Sequence, residues 1–215
     1  MTGERALRGG RIHFVCARNV CRSPAMALAF LGATRVGVDS EWAVTTSGIV
    51  AGTGEHMCRT AAAIVREQGR AGASPDGHRS RRTDAAEIAR QELILVASRA
   101  ERAHIAHIDP SARSRTFTLR EAVFLSEPGE WGEAKGPGDR GSSPAARFAA
   151  LLHERRGVRS LPAPERALLF TRAVDPLDYL DAHVTRGVPH RTVIRNIVTD
   201  ALTLHDRLGD LTSRA

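Results

Sequence analysis

The segment Cys16-Ala17-Arg18-Asn19-Val20-Cys21-Arg22-Ser23-Pro24 sets a thiol, a guanidinium and a hydroxyl within a few residues of one another. It lies between Arg11–Cys16 (RIHFVC), which reads as a strand, and MALAFLGATR, which reads as a helix opened by Ser23-Pro24. A chain that turns sharply from strand to helix can aim successive backbone N–H groups into one concavity. Capped by the positive end of a helix, such a nest binds a tetrahedral oxyanion. Ala17, Arg18, Asn19, Val20, Cys21, Arg22 and Ser23 would line it, with Arg22 gripping two oxygens at once. The same positive field stabilises a thiolate at Cys16, and a thiolate facing the phosphorus of a bound monoester is a nucleophile for in-line displacement. Ser23 can hydrogen-bond the sulfur when it later leaves. Asn19 suits the tight part of the loop because asparagine tolerates left-handed backbone. A bare Cys-x5-Arg carries little weight; its place between a strand and a helix, with Asn19 and Ser23-Pro24 around it, makes anion binding the stronger reading.

The rest of the chain must position that loop. It has 215 residues, 42% hydrophobic and 26% charged, the usage of a single well-cored domain. Its net charge is +7, nearly all from arginine. This permits anionic partners, whereas 4% aromatic content disfavours a base-stacking surface. No run is long and apolar enough to span a bilayer, and MTGERALRGG lacks the apolar core of a signal peptide, so no membrane partner and a cytoplasmic location are expected. Residues 1–10 read as a flexible lead. Strands are expected at Arg11–Cys16, Trp42–Ser47, Glu92–Ala97 and Arg115–Leu119. Helices are expected after Ser23 and at His56–Gln68, Thr83–Arg90, Arg99–Ile108, Ala145–Arg156 and within Val188–Leu208. This alternation predicts an α/β fold, a doubly wound four-stranded parallel sheet flanked by helices, with the phosphate-binding loop after the first strand. Glu127–Pro144 is rich in Gly, Pro and Ser and reads as loop. The three cysteines, Cys16, Cys21 and Cys58, form neither a disulfide framework nor a zinc-type spacing, so no metal is expected.

These features resemble the low-molecular-weight protein tyrosine phosphatases. The loop matches that family's signature. Thr46-Ser47-Gly48, Gly77-His78-Arg79-Ser80-Arg81, Arg115–Glu121 and Asp175-Pro176 resemble four of its downstream segments. The resemblance implies one domain over residues 11–215 with an insertion at about 127–171. It further implies a two-step phosphatase that needs no metal or cofactor. Cys16 would be the nucleophile, Arg22 the phosphate clamp and Asp175 the general acid, with Thr46 and His78 supporting the loop. The substrate would be a phosphorylated protein, expected to be phosphotyrosine, and inorganic phosphate the product. Asp178 and Asp181 are the fallback acids if the loop is shifted.

Two departures qualify this. Leu177 follows Asp175-Pro176 where the family usually has an aromatic residue, and Tyr179 is out of register. A small-molecule ester or another phosphoamino acid is therefore the alternative substrate, although Val20 stands where related phosphoarginine phosphatases tend to carry threonine. The insertion, which includes Trp131, reads most simply as a spacer. An arsenate reductase would need a cysteine pair near residues 80–100, which is absent. Cys58 reads as a small core residue, and Cys21 is expected to pair reversibly with Cys16 on oxidation. A non-catalytic anion- or nucleic-acid-binding protein would use the cluster Arg79, Arg81 and Arg82, but no DNA-binding motif accompanies it, and nucleic acid is not expected as a partner.

Overall fold

The computed structural model describes residues 9–33, 42–68, 74–128, 142–162 and 175–213. Trp131 and most of the Gly/Pro/Ser-rich segment lie outside these residues, as do residues 1–8 of the expected lead. Four strands form one parallel sheet: β1 (Gly10–Cys16), β2 (Trp42–Gly48), β3 (Leu93–Val96) and β4 (Thr116–Thr118), in the order β2-β1-β3-β4. β1 is therefore central, and Cys16 ends it opposite Gly48 of β2. This is the predicted doubly wound arrangement. It places the residues after β1 at the carboxyl edge of the sheet, where such folds bind ligands.

The helices are α1 (Arg22–Gly32), α2 (Arg59–Glu67), α3 (Ala85–Arg90), α4 (Arg99–Ile108), α5 (Leu119–Ser126), α6 (Pro144–Arg156) and α7 (His190–Ser213). Alternation along the strands divides the core. Ile12, Phe14, Leu93 and Leu95 pack with α1, α2, α5, α6 and α7 on one face. Val15, Ile94 and Val96 pack with Ile88 and Ile105 of α3 and α4 on the other.

Several expectations are corrected. Gly10 already belongs to β1, so the lead ends sooner. α2 starts at Arg59 because Cys58 is extended and caps it, accepting from Ala61 N. Leu119 closes no strand but opens α5, which was not anticipated. A capping box of Thr118 and Glu121 starts this helix, with each side chain bonded to the other's backbone N–H. The insertion is more than a spacer, since Ala145, Phe148, Ala149 and Leu152 of α6 are buried in the larger core cluster. Among the described residues, no helix is long and apolar enough to cross a membrane.

Within the strand that leads into the loop, His13 is fully buried. Its Nδ1 lies 2.7 Å from Thr45 Oγ1 and its Nε2 2.7 Å from Ser47 Oγ. Burial, only partly opposed by Glu87, pushes its pKa down from 6.5 to about 4. The unfolded chain binds this proton more readily than the folded one. The stabilisation from neutral His13 is thus complete above pH 6.5 and lost as pH falls through about 4. That loss is about 3 kcal/mol. Urea unfolding across this interval should show stability falling steeply in wild type and less steeply in His13→Gln; parallel slopes would show that His13 does not carry the effect.

Candidate active site

The chain between β1 and α1 folds back on the thiol. Cys16 Sγ accepts a hydrogen bond from Asn19 N at 3.3 Å and lies 3.1 Å from Ser23 Oγ. Asn19 has φ +56°, a left-handed conformation that brings its N–H inward. Its side chain holds the turn, with Nδ2 donating to Ser23 Oγ at 2.9 Å and Oδ1 accepting from Arg81 N at 3.0 Å. His78 Nε2 is 2.6 Å from Asn19 O, so this imidazole bonds the outside of the loop. The loop's carbonyls point away from the thiol. Ile49 N donates to Cys16 O, Val50 N to Ala17 O and Cys58 N to Val20 O. With these carbonyls bonded elsewhere and Asn19 N on the sulfur, the loop has the polarity an oxyanion requires.

Gly48 makes this close approach possible. A Cβ there would sit 2.7 Å from Ala17 O and from Asn19 N, so any side chain would push the loop outward. Thr46, expected to support the loop, instead offers its carbonyl to Arg81 Nε at 2.7 Å. The nearest support from β2 comes from the carbonyl of Ser47, 3.4 Å from Ser23 Oγ.

Arg22 is 5% exposed. Its Nη1 donates to Tyr179 O at 3.0 Å and its Nη2 to Asp181 Oδ2 at 2.6 Å, with Glu101 Oε1 3.5 Å away. Burial alone would lower its pKa, but Cys16, Glu101 and Asp181 outweigh that and raise it. The guanidinium is thus a fixed positive charge beside the thiol. Glu101, buried and hydrogen-bonded to Ser98, was not anticipated; an acidic residue in the first turn of α4 was the available signal.

A cavity of about 240 Å³ opens over these groups, lined by Cys16, Arg18, Val20, Cys21, Arg22, Glu55, His56, Cys58, Asp181 and His183. Asp175 is not among them. Its carboxylate is buried, paired with Arg99 Nη1 at 2.7 Å and accepting from Leu177 N at 2.9 Å, so it builds the turn. Asp178 also faces α4, accepting from Arg99 N at 2.8 Å. The structure therefore brings Cys16, Asn19, Arg22, Ser23 and His78 together and leaves Asp175 outside. Asp181 lines the cavity. Tyr179 is buried, with its hydroxyl on Asp200 and Arg120 stacked over its ring, and does not wall the cavity.

Linear spacing gave no expectation of a metal site. Folding nevertheless gathers Cys21, Cys58, His183 and His190, their ligating atoms all within 4.8 Å of one another, and the first three also line the cavity.

The sequence model of the low molecular weight phosphotyrosine protein phosphatases matches residues 11–153. Among solved structures, the YwlE arginine phosphatase from Geobacillus stearothermophilus is similar at 26% identity and a TM-score of 0.46, over 69% of this chain and 87% of that one. The Erwinia amylovora tyrosine phosphatase AmsI is similar at 21% identity and a TM-score of 0.48, over 73% and 93%. Vibrio vulnificus Wzb, solved in complex with benzylphosphonate, is similar at 22% identity and a TM-score of 0.45, over 70% and 96%. No curated protein sequence matches the chain. With the family match covering β1 to α6 and the loop geometry in place, the chain belongs to the low molecular weight phosphotyrosine protein phosphatases.

Proposed function

We propose that this phosphatase attacks phosphate monoesters with Cys16, clamps the phosphoryl group with Arg22 and the N–H groups of Ala17–Ser23, and uses Asp181 rather than Asp175 as general acid. The observation that carries the reading is the convergence of Cys16, Arg22 and Asp181 on one cavity, with Asn19 N and Ser23 Oγ already on the sulfur. In the first step the thiolate forms an S–P bond while the ester oxygen leaves, taking a proton from Asp181. In the second, a water attacks the cysteinyl phosphate, Asp181 accepts its proton, and the S–P bond breaks. Ser23 stabilises the departing thiolate. A bound phosphate dianion competes with Asp181 for the N–H groups of Arg22 and disfavours a second negative charge beside it, so substrate entry frees Asp181 to hold the proton that the first step transfers.

The substrate in this reading is a protein phosphotyrosine. The cavity has room for an aryl ester, and Val20 and the imidazoles of His56 and His183 stand at its wall. Asp181 suits this leaving group, since a phenoxide leaves slowly unless protonated. The reading includes a cytoplasmic location, because a thiol nucleophile needs a reducing compartment. The test is acid quenching during turnover of a phosphotyrosyl peptide, followed by peptide mapping. Phosphate on Cys16, with kcat/KM higher than for phosphoseryl peptides and small alkyl phosphates, is expected. Phosphate on another residue would overturn the nucleophile assignment, and equal kcat/KM values would overturn the substrate.

A further inference from the structure

Cys21, Cys58, His183 and His190 come from four parts of the chain: the end of the phosphate loop, the residue capping α2, the connector before α7, and the first residue of α7. Cys21 Sγ lies 3.3 Å from Cys58 Sγ and 2.9 Å from His190 Nε2. Cys58 Sγ lies 3.8 Å from His190 Nε2, and a ring nitrogen of His183 lies within 4.8 Å of both sulfurs. The two imidazoles meet edge to face, with centroids 4.6 Å apart. Around a tetrahedral zinc ion, bonds of ~2.3 Å to sulfur and ~2.1 Å to nitrogen set the sulfurs ~3.8 Å apart and each sulfur ~3.6 Å from nitrogen. Cys58–His190 at 3.8 Å is already near that spacing, while Cys21–Cys58 at 3.3 Å and Cys21–His190 at 2.9 Å would have to open by about 0.5 and 0.7 Å to admit the ion. The cluster's composition, two thiols and two imidazoles, is that of closed structural zinc sites.

Other roles account for less of it. Both cysteines precede helices, but Cys21 makes no capping bond, and serine, threonine, aspartate or asparagine caps better than a thiol. Core packing explains Cys21 but not exposed His183 turned onto a sulfur. A disulfide would use the cysteines and leave both imidazoles unexplained.

We propose that Cys21, Cys58, His183 and His190 bind one zinc-class divalent cation, which clips the phosphate loop to α2 and α7. Cys21 immediately precedes Arg22, and His183 lies two residues beyond Asp181. The ion would therefore hold the guanidinium and the carboxylate at the mouth of the cavity. It would bear on the reaction by positioning alone, because Cys16 is not one of its ligands. The inference is independent of the catalytic assignment, since its test reads metal and not turnover.

The experiment uses the full chain, purified reduced and stripped of metal, and titrated with Co²⁺ and then Zn²⁺. One Co²⁺ per chain is expected, with thiolate-to-cobalt charge transfer and tetrahedral visible bands that zinc abolishes. Cys58→Ser and His183→Ala should each weaken zinc binding by at least about 100-fold, whereas Cys16→Ser should retain it. His183 is exposed, so its replacement tests the site without disturbing the core. Absence of binding, cobalt spectra lacking thiolate charge transfer, or equal loss in Cys16→Ser would each overturn the site, as would a Cys21–Cys58 disulfide persisting in reduced protein.

Discussion

Cys16→Ser is expected to lower kcat on p-nitrophenyl phosphate by a factor on the order of 10⁴ or more, while phosphate still binds. The loop is held by contacts that do not depend on sulfur: Asn19 Oδ1 to Arg81 N, His78 to Asn19 O, and the Ile49 and Val50 N–H groups to the carbonyls of Cys16 and Ala17. The nest therefore survives the substitution. A hydroxyl at the same position is not ionised near neutral pH and is a poor leaving group in the second step, so both chemical steps suffer. Losing a nucleophile from an otherwise intact site has effects of this size. Steady-state kinetics together with calorimetric titration of inorganic phosphate separates the two properties. Activity within about tenfold of wild type would remove Cys16 from the chemistry; loss of phosphate binding as well would mean that the thiol holds the loop in shape.

The second large effect distinguishes two aspartates. Asp181→Asn should lower kcat on phenyl phosphate by ~10²–10⁴-fold, the usual contribution of a positioned acid. The loss should shrink on p-nitrophenyl phosphate, whose leaving group needs less help from a proton. Asp181 also occupies Arg22 Nη2 at 2.6 Å, so removing its charge should tighten inhibition by inorganic phosphate. Asp175→Asn should behave differently. Its carboxylate is 4% exposed and pairs with Arg99, which is about half exposed at 46%. The variant keeps an oxygen for Leu177 N and loses the ion pair, so it should cost about 1–2 kcal/mol of stability and leave kcat nearly unchanged. Kinetics on both esters, with thermal unfolding of both variants, decides the question. A collapse of kcat confined to Asp175→Asn would return the acid role to the residue that the sequence motif suggests.

The two aspartates show where sequence stops being legible. Residues 175–181 contain three carboxylates, and Asp175-Pro176 attracts attention because Asp-Pro is turn chemistry. A turn signal reports local backbone. Which carboxylate reaches Arg22 depends on how the connector lies over α4, where Arg99 takes both Asp175 and Asp178. α5 lay within reach of sequence reading, since Thr118 and Glu121 form a capping box, but the β-rich run before it drew the strand onward to Leu119. The core role of α6 was less accessible. Its arginines and alanines suggest a solvated helix, and only packing on the sheet shows which of its faces is buried.

The sequence by itself determined the first strand, the α/β alternation and the anion loop, including Cys16, Asn19, Arg22 and Ser23. These depend on neighbours: a strand, a five-residue turn and a helix start, all within one stretch of chain. Tertiary structure alone decided that Asp181 faces the cavity, that Gly48 must lack a side chain beneath the loop, and that two cysteines and two histidines meet. Cys21 and Cys58 are 37 residues apart, and Cys58 and His190 are 132 apart. No spacing rule spans such separations. Their meeting is set by the packing of α1, α2 and α7 on one face of the sheet, a consequence of burying apolar surface across the whole domain.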